Sequence, residues 1–213
     1  VHVFRAWRRP GTKRQTTLTD RIQKMDIRTL NVLLKDVVSF VERVLLHEPS
    51  LYRIPGPDTE ARAMLNKYLM GERPNLDTEL VDPFTATTLL KYAIKNLDKP
   101  LIAREFYPAL KMILYFEEKL GHAPERALTR VYDSFLDQDR REFFEVFAKH
   151  LLKVAGEPEN NMTLINLVTV FGPTCILPYR EMQLEQMRTG PAILLYIINF
   201  AAKRAGVAQV CTT

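Results

Sequence analysis

Apolar residues recur along most of this chain at the three- and four-residue steps of an amphipathic helix, and no segment shows the strict alternation of a strand. The run Leu30, Leu33, Leu34, Val37, Val41, Val44 and Leu45 predicts a first helix, capped by Asp26 and stopped by Pro49. Asp58 is placed to cap a second helix that buries Ala61, Met64, Leu65, Tyr68 and Leu69, and residues 71–75 read as loop. Asp82-Pro83 combines an N-cap with proline at the first helical position, and predicts a helix burying Ala86, Leu89, Leu90, Ala93, Ile94 and Leu97. Phe106, Leu110, Ile113 and Leu114 mark another, ended by Gly121. Ala127, Leu128, Val131, Tyr132, Phe135 and Leu136 follow, then Phe143, Phe144, Phe147, Leu151, Leu152 and Val154, ended by Gly156. Aromatic residues at that spacing are core rather than a ligand box. After a polar loop at 160–163, with Thr163 as N-cap, a short helix from Leu164 to Phe171 is expected to run into Gly172-Pro173. A last apolar helix is expected to open at Pro191, reach about Lys203 and close at Gly206. The fold class is therefore all-α, a single domain of about eight or nine helices without internal repeats.

Composition agrees with an ordinary globular domain: 213 residues, 46% apolar and 26% charged. The net charge of +5 suits an acidic protein partner or an anionic membrane surface, and is too small and scattered to argue for nucleic acid. Much of the excess lies in residues 1–16, where Arg5, Arg8, Arg9, Lys13 and Arg14 occur without an acid. Residues 1–20 are read as a basic N-terminal arm or linker, able in its sharper reading to touch anionic lipid, and residues 21–213 as the helical domain. Cys175 and Cys211 have no metal-type spacing and build no disulfide framework, so a reducing, cytoplasmic location is expected, with recruitment to the inner face of a membrane through the arm. No apolar run approaches the roughly 20 residues that span a bilayer. The chain begins at Val1 with neither Met nor a signal pattern and is read as a piece of a longer protein.

Self-contained chemistry is hard to find. There is no Gly-rich phosphate loop, no GxSxG, and no distinctive carboxylate pair; His2, His47, His122 and His150 are dispersed and read as surface or internally satisfied residues. What stands out is Ser50-Leu51-Tyr52-Arg53-Ile54-Pro55-Gly56, a short link between two helices. Pro55 biases Ile54 away from the helical region and Gly56 supplies turn freedom, so a defined loop presents Arg53 at a surface. An arginine so held suits a phosphoryl transition state or a carboxylate, although a solvated arginine is the blander reading. Lys91, Lys95 and Lys99 recur at four-residue steps, which stacks them along one side, although Lys99 precedes Pro100 and is expected past the helix end; such a row of like charges does not stabilise the helix.

Three separated pieces resemble, in order, the motifs of the Rho GTPase-activating protein (RhoGAP) domain. Residues 51–56, Leu-Tyr-Arg-Ile-Pro-Gly, resemble its G-hydrophobic-aromatic-R-x-S-G loop. Residues 90–102, Leu-Lys-Tyr-Ala-Ile-Lys-Asn-Leu-Asp-Lys-Pro-Leu-Ile, resemble its LK-x-(F/Y)-LR-E-LP-E-PL helix. Residues 160–174, opening Asn-Asn-Met-Thr and including Asn166 and Phe171, resemble its N-x-M-T-x-x-N-L-A-x-V-F-x-P-x segment, the most specific of the three. The resemblance covers about residues 27 to 205 and leaves the basic arm outside. It implies a helical domain that docks on a GTP-bound Rho-family small GTPase and inserts an arginine in trans. Arg53 would be that finger; Lys91 would support its loop and touch the GTPase; Asn166 would hydrogen-bond at the interface; Lys95 stands where the family usually has arginine. The domain would carry no cofactor of its own, since GTP and Mg²⁺ belong to the partner.

Departures from the pattern concern the same residues. Ser50 replaces the loop glycine, and Pro55 replaces a serine, removing one N–H and one hydroxyl near Arg53. Lys95 lacks the planar fork of arginine. Asn96 and Lys99 replace glutamates and Asp98 a proline, which makes the Lys91 face more positive and favours encounter with an acidic surface. These changes leave open a second reading, a module of the same fold that binds small GTPases or other partners as an adaptor without useful catalysis.

Overall fold

A computed structural model describes residues 24–121, 125–176 and 184–207. The basic arm of residues 1–20, His2, His122 and Cys211 lie outside the described residues, as do the side chains of Ala127, Leu128 and Phe135. Among the described residues there are nine α-helices: α1 (Ile27–Val44), α2 (Asp58–Leu69), α3 (Leu76–Glu79), α4 (Thr85–Lys95), α5 (Tyr107–Leu120), α6 (Glu125–Phe135), α7 (Gln138–Ala155), α8 (Leu164–Ile176) and α9 (Leu184–Arg204). The only extended pairing among them is an isolated parallel bridge between Met25 and Leu97. No helix among the described residues is long and apolar enough to cross a membrane.

Local signals explain the first helix. Asp26 Oδ1 accepts the backbone N–H groups of Arg28 (2.8 Å) and Thr29 (2.9 Å), satisfying two donors that the helix start leaves without partners. Leu30, Leu33, Leu34, Val37, Phe40 and Val41 are buried, and α1 packs through this stripe on α4 and α7. Val44, expected on that stripe, is instead 40% exposed at the helix end. Two starts fall differently from the sequence expectation. Asp58 is the first residue of α2 rather than its cap; Pro57 occupies the cap position and Asp58 pairs with Arg62 at 2.8 Å. Regular helix in α4 begins at Thr85, because Asp82 and Pro83 form a turn in which Asp82 Oδ1 accepts the Phe84 N–H at 2.8 Å.

Helix α4 lies at the centre. Its neighbours are α1, α2 and α8, and it buries Thr85, Thr87 and Thr88 as well as Ala86, Leu89, Leu90, Ala93 and Ile94. Threonine is tolerated in this interior because its hydroxyl finds partners: Thr87 Oγ1 donates to the nearby Phe84 carbonyl at 2.8 Å, and Thr88 Oγ1 accepts from Gly56 N, on the loop before α2, at 2.9 Å.

The last two helices overturn the expected boundaries. Helix α8 continues through Gly172-Pro173 to Ile176, and α9 opens at Leu184 with Pro191 inside it. Each proline forfeits one backbone hydrogen bond, but the flanking apolar faces hold the helices together: Phe171, Cys175 and Ile176 on one, Ile193, Leu194 and Ile197 on the other, are all buried. The glycine is there for close approach, since a Cβ on Gly172 would stand 2.8 Å from Pro191 N on α9. Gly206 closes α9 at φ +70°, as its position suggests.

Candidate functional site

The Arg53 loop joins α1 to α2 and is tied down at three points. Ser50 N donates to the Asn160 carbonyl at 2.8 Å. The Ser50 carbonyl in turn accepts from Arg53 N (2.8 Å) and Ile54 N (3.2 Å), closing a tight turn. Gly56 N donates to Thr88 Oγ1 on α4. A Cβ at Gly56 would stand 2.2 Å from the backbone nitrogen of Thr85, so only glycine lets the loop lie against the start of α4. Gly56→Ala is expected to lower stability by about 1–3 kcal/mol, the usual cost of overpacking, read as a lower thermal midpoint.

Two residues of the loop occupy left-handed backbone, Ser50 at φ +60° and Tyr52 at φ +69°. That conformation at Ser50 explains why a glycine suits the position, and for a bulky residue such as Tyr52 it is strained. The reversal at Tyr52 sends Leu51 and Tyr52 fully into the core and leaves Arg53 and Ile54 exposed. Burial of the Tyr52 ring, which packs edge-on against Phe171 at 5.0 Å and His150 at 5.7 Å, offsets the backbone strain.

Tyr52 is where the elements bearing the candidate residues meet. Its carbonyl accepts from Lys91 Nζ on α4 at 3.1 Å. Its ring contacts Phe171, which lies on α8, the helix that also carries Asn166. Its hydroxyl lies 2.6 Å from His150 Nε2 on α7. The structure thus joins Arg53 and Lys91 through one intervening backbone carbonyl. Burial pushes the Lys91 ammonium below its usual range, and the neighbouring charge of Lys95 adds to the effect. Lys95 is exposed one turn further along α4, and Lys99 is exposed beyond its end. Neither the Arg53 guanidinium nor the Lys95 ammonium has an acidic partner among the described residues, so the face carries uncompensated positive charge. Asn166, half-buried in the first turn of α8, donates its backbone N–H to Thr163 Oγ1 at 3.2 Å, as expected of an N-cap at Thr163. The Asn166 side-chain amide makes no hydrogen bond among the described residues.

Three residues here were not legible as parts of a site. Asn160 is fully buried; its Nδ2 donates to the carbonyls of Leu46 and Val154, both at 2.9 Å, and its Oδ1 accepts from Met162 N at 2.8 Å. With its own carbonyl accepting from Ser50 N, it joins the end of α1, the end of α7, the start of α8 and the Arg53 loop. The motif at 160–174 contains this residue, but nothing in the motif says what it binds. His150 and Glu42 complete a chain below Tyr52: His150 Nδ1 lies 2.9 Å from Glu42 Oε1, and Glu42 Oε2 accepts from Lys153 Nζ at 2.6 Å. His150 is a satisfied core histidine. Burial holds its imidazole below the usual range, while Glu42 acts in the opposite direction and Lys153 adds to the lowering.

A pH dependence of stability follows. With the folded-state value depressed, the unfolded chain takes up a proton at His150 first as pH falls through about 6.5, so stability present above that pH is lost below it. Glu42, lowered chiefly by its hydrogen bond to His150, loses its contribution at still lower pH. The thermal midpoint is expected to fall between about pH 6.5 and 5, and His150→Gln is expected to flatten that fall. An equally steep fall in the variant would remove His150 as its cause.

Comparison with known proteins finds relatives of this chain. The model of the RhoGAP domain family matches residues 31–180. Mouse Rho GTPase-activating protein 22 is 27% identical over 188 residues, 86% of this chain and 26% of that protein. Mouse Rac GTPase-activating protein 1 is 29% identical over 139 residues, 65% of this chain and 22% of that protein. The chain therefore spans about a quarter or less of the length of these relatives. Among solved structures, the BH domain from Graf, the GTPase regulator associated with focal adhesion kinase, superposes with a TM-score of 0.69 at 22% identity, covering 87% of this chain and all of that one. Human Rho GTPase activating protein 15 gives a TM-score of 0.63 at 21% identity, covering 81% of this chain and 80% of that one.

Proposed function

From the premise that the chain belongs to the RhoGAP domain family, we propose that it accelerates GTP hydrolysis by a Rho-family small GTPase, with Arg53 entering the partner's nucleotide site in trans. The observation that carries this reading is the Arg53 loop itself. An exposed guanidinium without an ion-pair partner among the described residues stands directly after a residue whose ring and carbonyl are both held. A cation offered on a fixed backbone costs little reorganisation when charge develops, which is what a phosphoryl transition state rewards.

In this reading the GTP-bound partner supplies nucleotide, Mg²⁺ and attacking water. Arg53 neutralises charge developing on the β- and γ-phosphate oxygens. Lys91 holds the loop through the Tyr52 carbonyl and, with Lys95, presents positive charge to an acidic partner surface. Asn166 offers an amide, without a partner among the described residues, for a polar group of the GTPase.

The test is single-turnover GTP hydrolysis by a panel of Rho-type GTPases with and without the domain. Acceleration that depends on Arg53 supports the reading. Binding to an analogue-loaded GTPase without acceleration on any member would replace it with the adaptor reading, to which Ser50 and Pro55 in the loop point.

A further inference from the structure

The strongest constraint on Arg53 comes from the residue before it. Tyr52 is fully buried, sits at φ +69°, and is gripped at opposite ends, its carbonyl by Lys91 and its hydroxyl by His150. A left-handed tyrosine is disfavoured on its own, so the conformation persists only while those grips hold the ring inward and the carbonyl towards α4. Releasing the ring lets φ relax, and a rotation there swings every atom of Arg53.

We propose that buried Tyr52 and His150, with half-buried Glu42, form a positioning chain that holds the backbone from which Arg53 acts. The proposal rests on the Arg53 reading given above. His150 and Glu42 are positioning residues: they act through Tyr52 and touch neither nucleotide nor GTPase.

Hydrogen-bond direction follows from the chemistry of the three groups. Burial, with the charge of Glu42 adding to it, keeps the Tyr52 phenol protonated, so its O–H donates to His150 Nε2. The imidazole proton is then on Nδ1 and donates to Glu42 Oε1, whose second oxygen takes Lys153 Nζ. Each member thus fixes the next: Lys153 orients the carboxylate, the carboxylate selects the tautomer, and the tautomer leaves Nε2 as an acceptor aimed at Tyr52. The groups facing His150 are Glu42 from α1, Tyr52 from the loop and Lys153 on its own helix. Aromatic contacts among Tyr52, Phe171 and Phe147, with centroids 5.0 and 4.9 Å apart, close the ring's other side. A tyrosine without an acceptor in this pocket would leave a buried hydroxyl unpaired and the ring without a defined depth.

Single-turnover hydrolysis, titrated to saturation with the 213-residue chain, separates positioning from docking. Tyr52→Phe keeps the ring and removes only the hydroxyl. It is expected to lower the maximal rate about tenfold, since misplacement on the ångström scale costs up to about a hundredfold, with half-saturation unchanged within about twofold. His150→Leu is expected to do the same, and the double variant to lose no more than either single one. His150→Gln, whose amide oxygen can accept from the Tyr52 hydroxyl, is expected to keep most of the rate. In an Arg53→Ala background none of these changes should alter the residual rate.

An unchanged maximal rate in Tyr52→Phe, while Arg53→Ala abolishes acceleration, would overturn the positioning chain and leave the functional reading intact. So would equal losses from Tyr52→Phe in the presence and absence of Arg53, which indicate general loosening. If the unaltered protein accelerates no GTPase of the panel, the functional reading falls first and the positioning chain falls with it. Should His150→Leu fail to fold, the Tyr52→Phe comparison across the two backgrounds decides alone.

Discussion

Arg53→Ala is expected to reduce the stimulated rate of GTP hydrolysis by about a thousandfold or more, the range in which a trans-acting arginine contributes. The guanidinium makes no ion pair among the described residues, and the side chain is exposed, so its removal should leave the thermal midpoint unchanged within what a neutral surface substitution costs, about 0.5 kcal/mol. Binding to an analogue-loaded GTPase should change far less than the rate, because in the proposed mechanism the charge that Arg53 meets is greatest in the transition state. Arg53→Lys should recover little: it restores charge but not the planar fork that can span two phosphate oxygens. The combination of intact folding, retained binding and lost rate is the signature sought. A rate within a few-fold of the unaltered protein would remove Arg53 from the mechanism.

Asn160→Ala carries the largest expected effect on stability. It leaves the carbonyls of Leu46 and Val154 and the N–H of Met162 without their partner in a fully buried place. Each orphaned group costs about 1–3 kcal/mol, so a loss of several kcal/mol is expected even after partial relaxation. For a domain of this size each kcal/mol lowers the melting midpoint by about 2–4 °C, which puts the expected fall near 10 °C. Ser50 N still has the residue-160 carbonyl available in the variant, so a protein that remains folded at low temperature should retain acceleration there. Loss of rate without loss of stability would mean that Asn160 serves the loop rather than the junction of α1, α7 and α8.

Much of the architecture was legible because it is local. A stripe of apolar residues at helical spacing, an aspartate at 26 and a glycine at 206 describe helix faces and ends through contacts within a few residues, and the structure places them so. The failures were local rules applied where packing overrides them. Gly172-Pro173 and Pro191 read as helix boundaries, yet both helices run through them, because two apolar faces meet there and the glycine admits the neighbouring backbone. Asp58 and Asp82 each suit a cap directly before a helix, yet the helices start one and two residues away from that expectation, around Pro57 and Pro83.

The site divides in the same way. By itself the sequence determined that an arginine stands on a short link between helices, that lysines recur at four-residue steps on a later helix, and that Thr163 can open the helix carrying Asn166. Tertiary structure decided the rest: that Tyr52 turns inward and Arg53 outward, that Lys91 grips the Tyr52 carbonyl, and that His150, 98 residues away, receives its hydroxyl. The physical reason is range. Helical periodicity and capping record what a residue does with neighbours a turn away. The partner of a buried hydroxyl or carbonyl depends on which helices pack together and at what depth, and that is set only when the whole core closes.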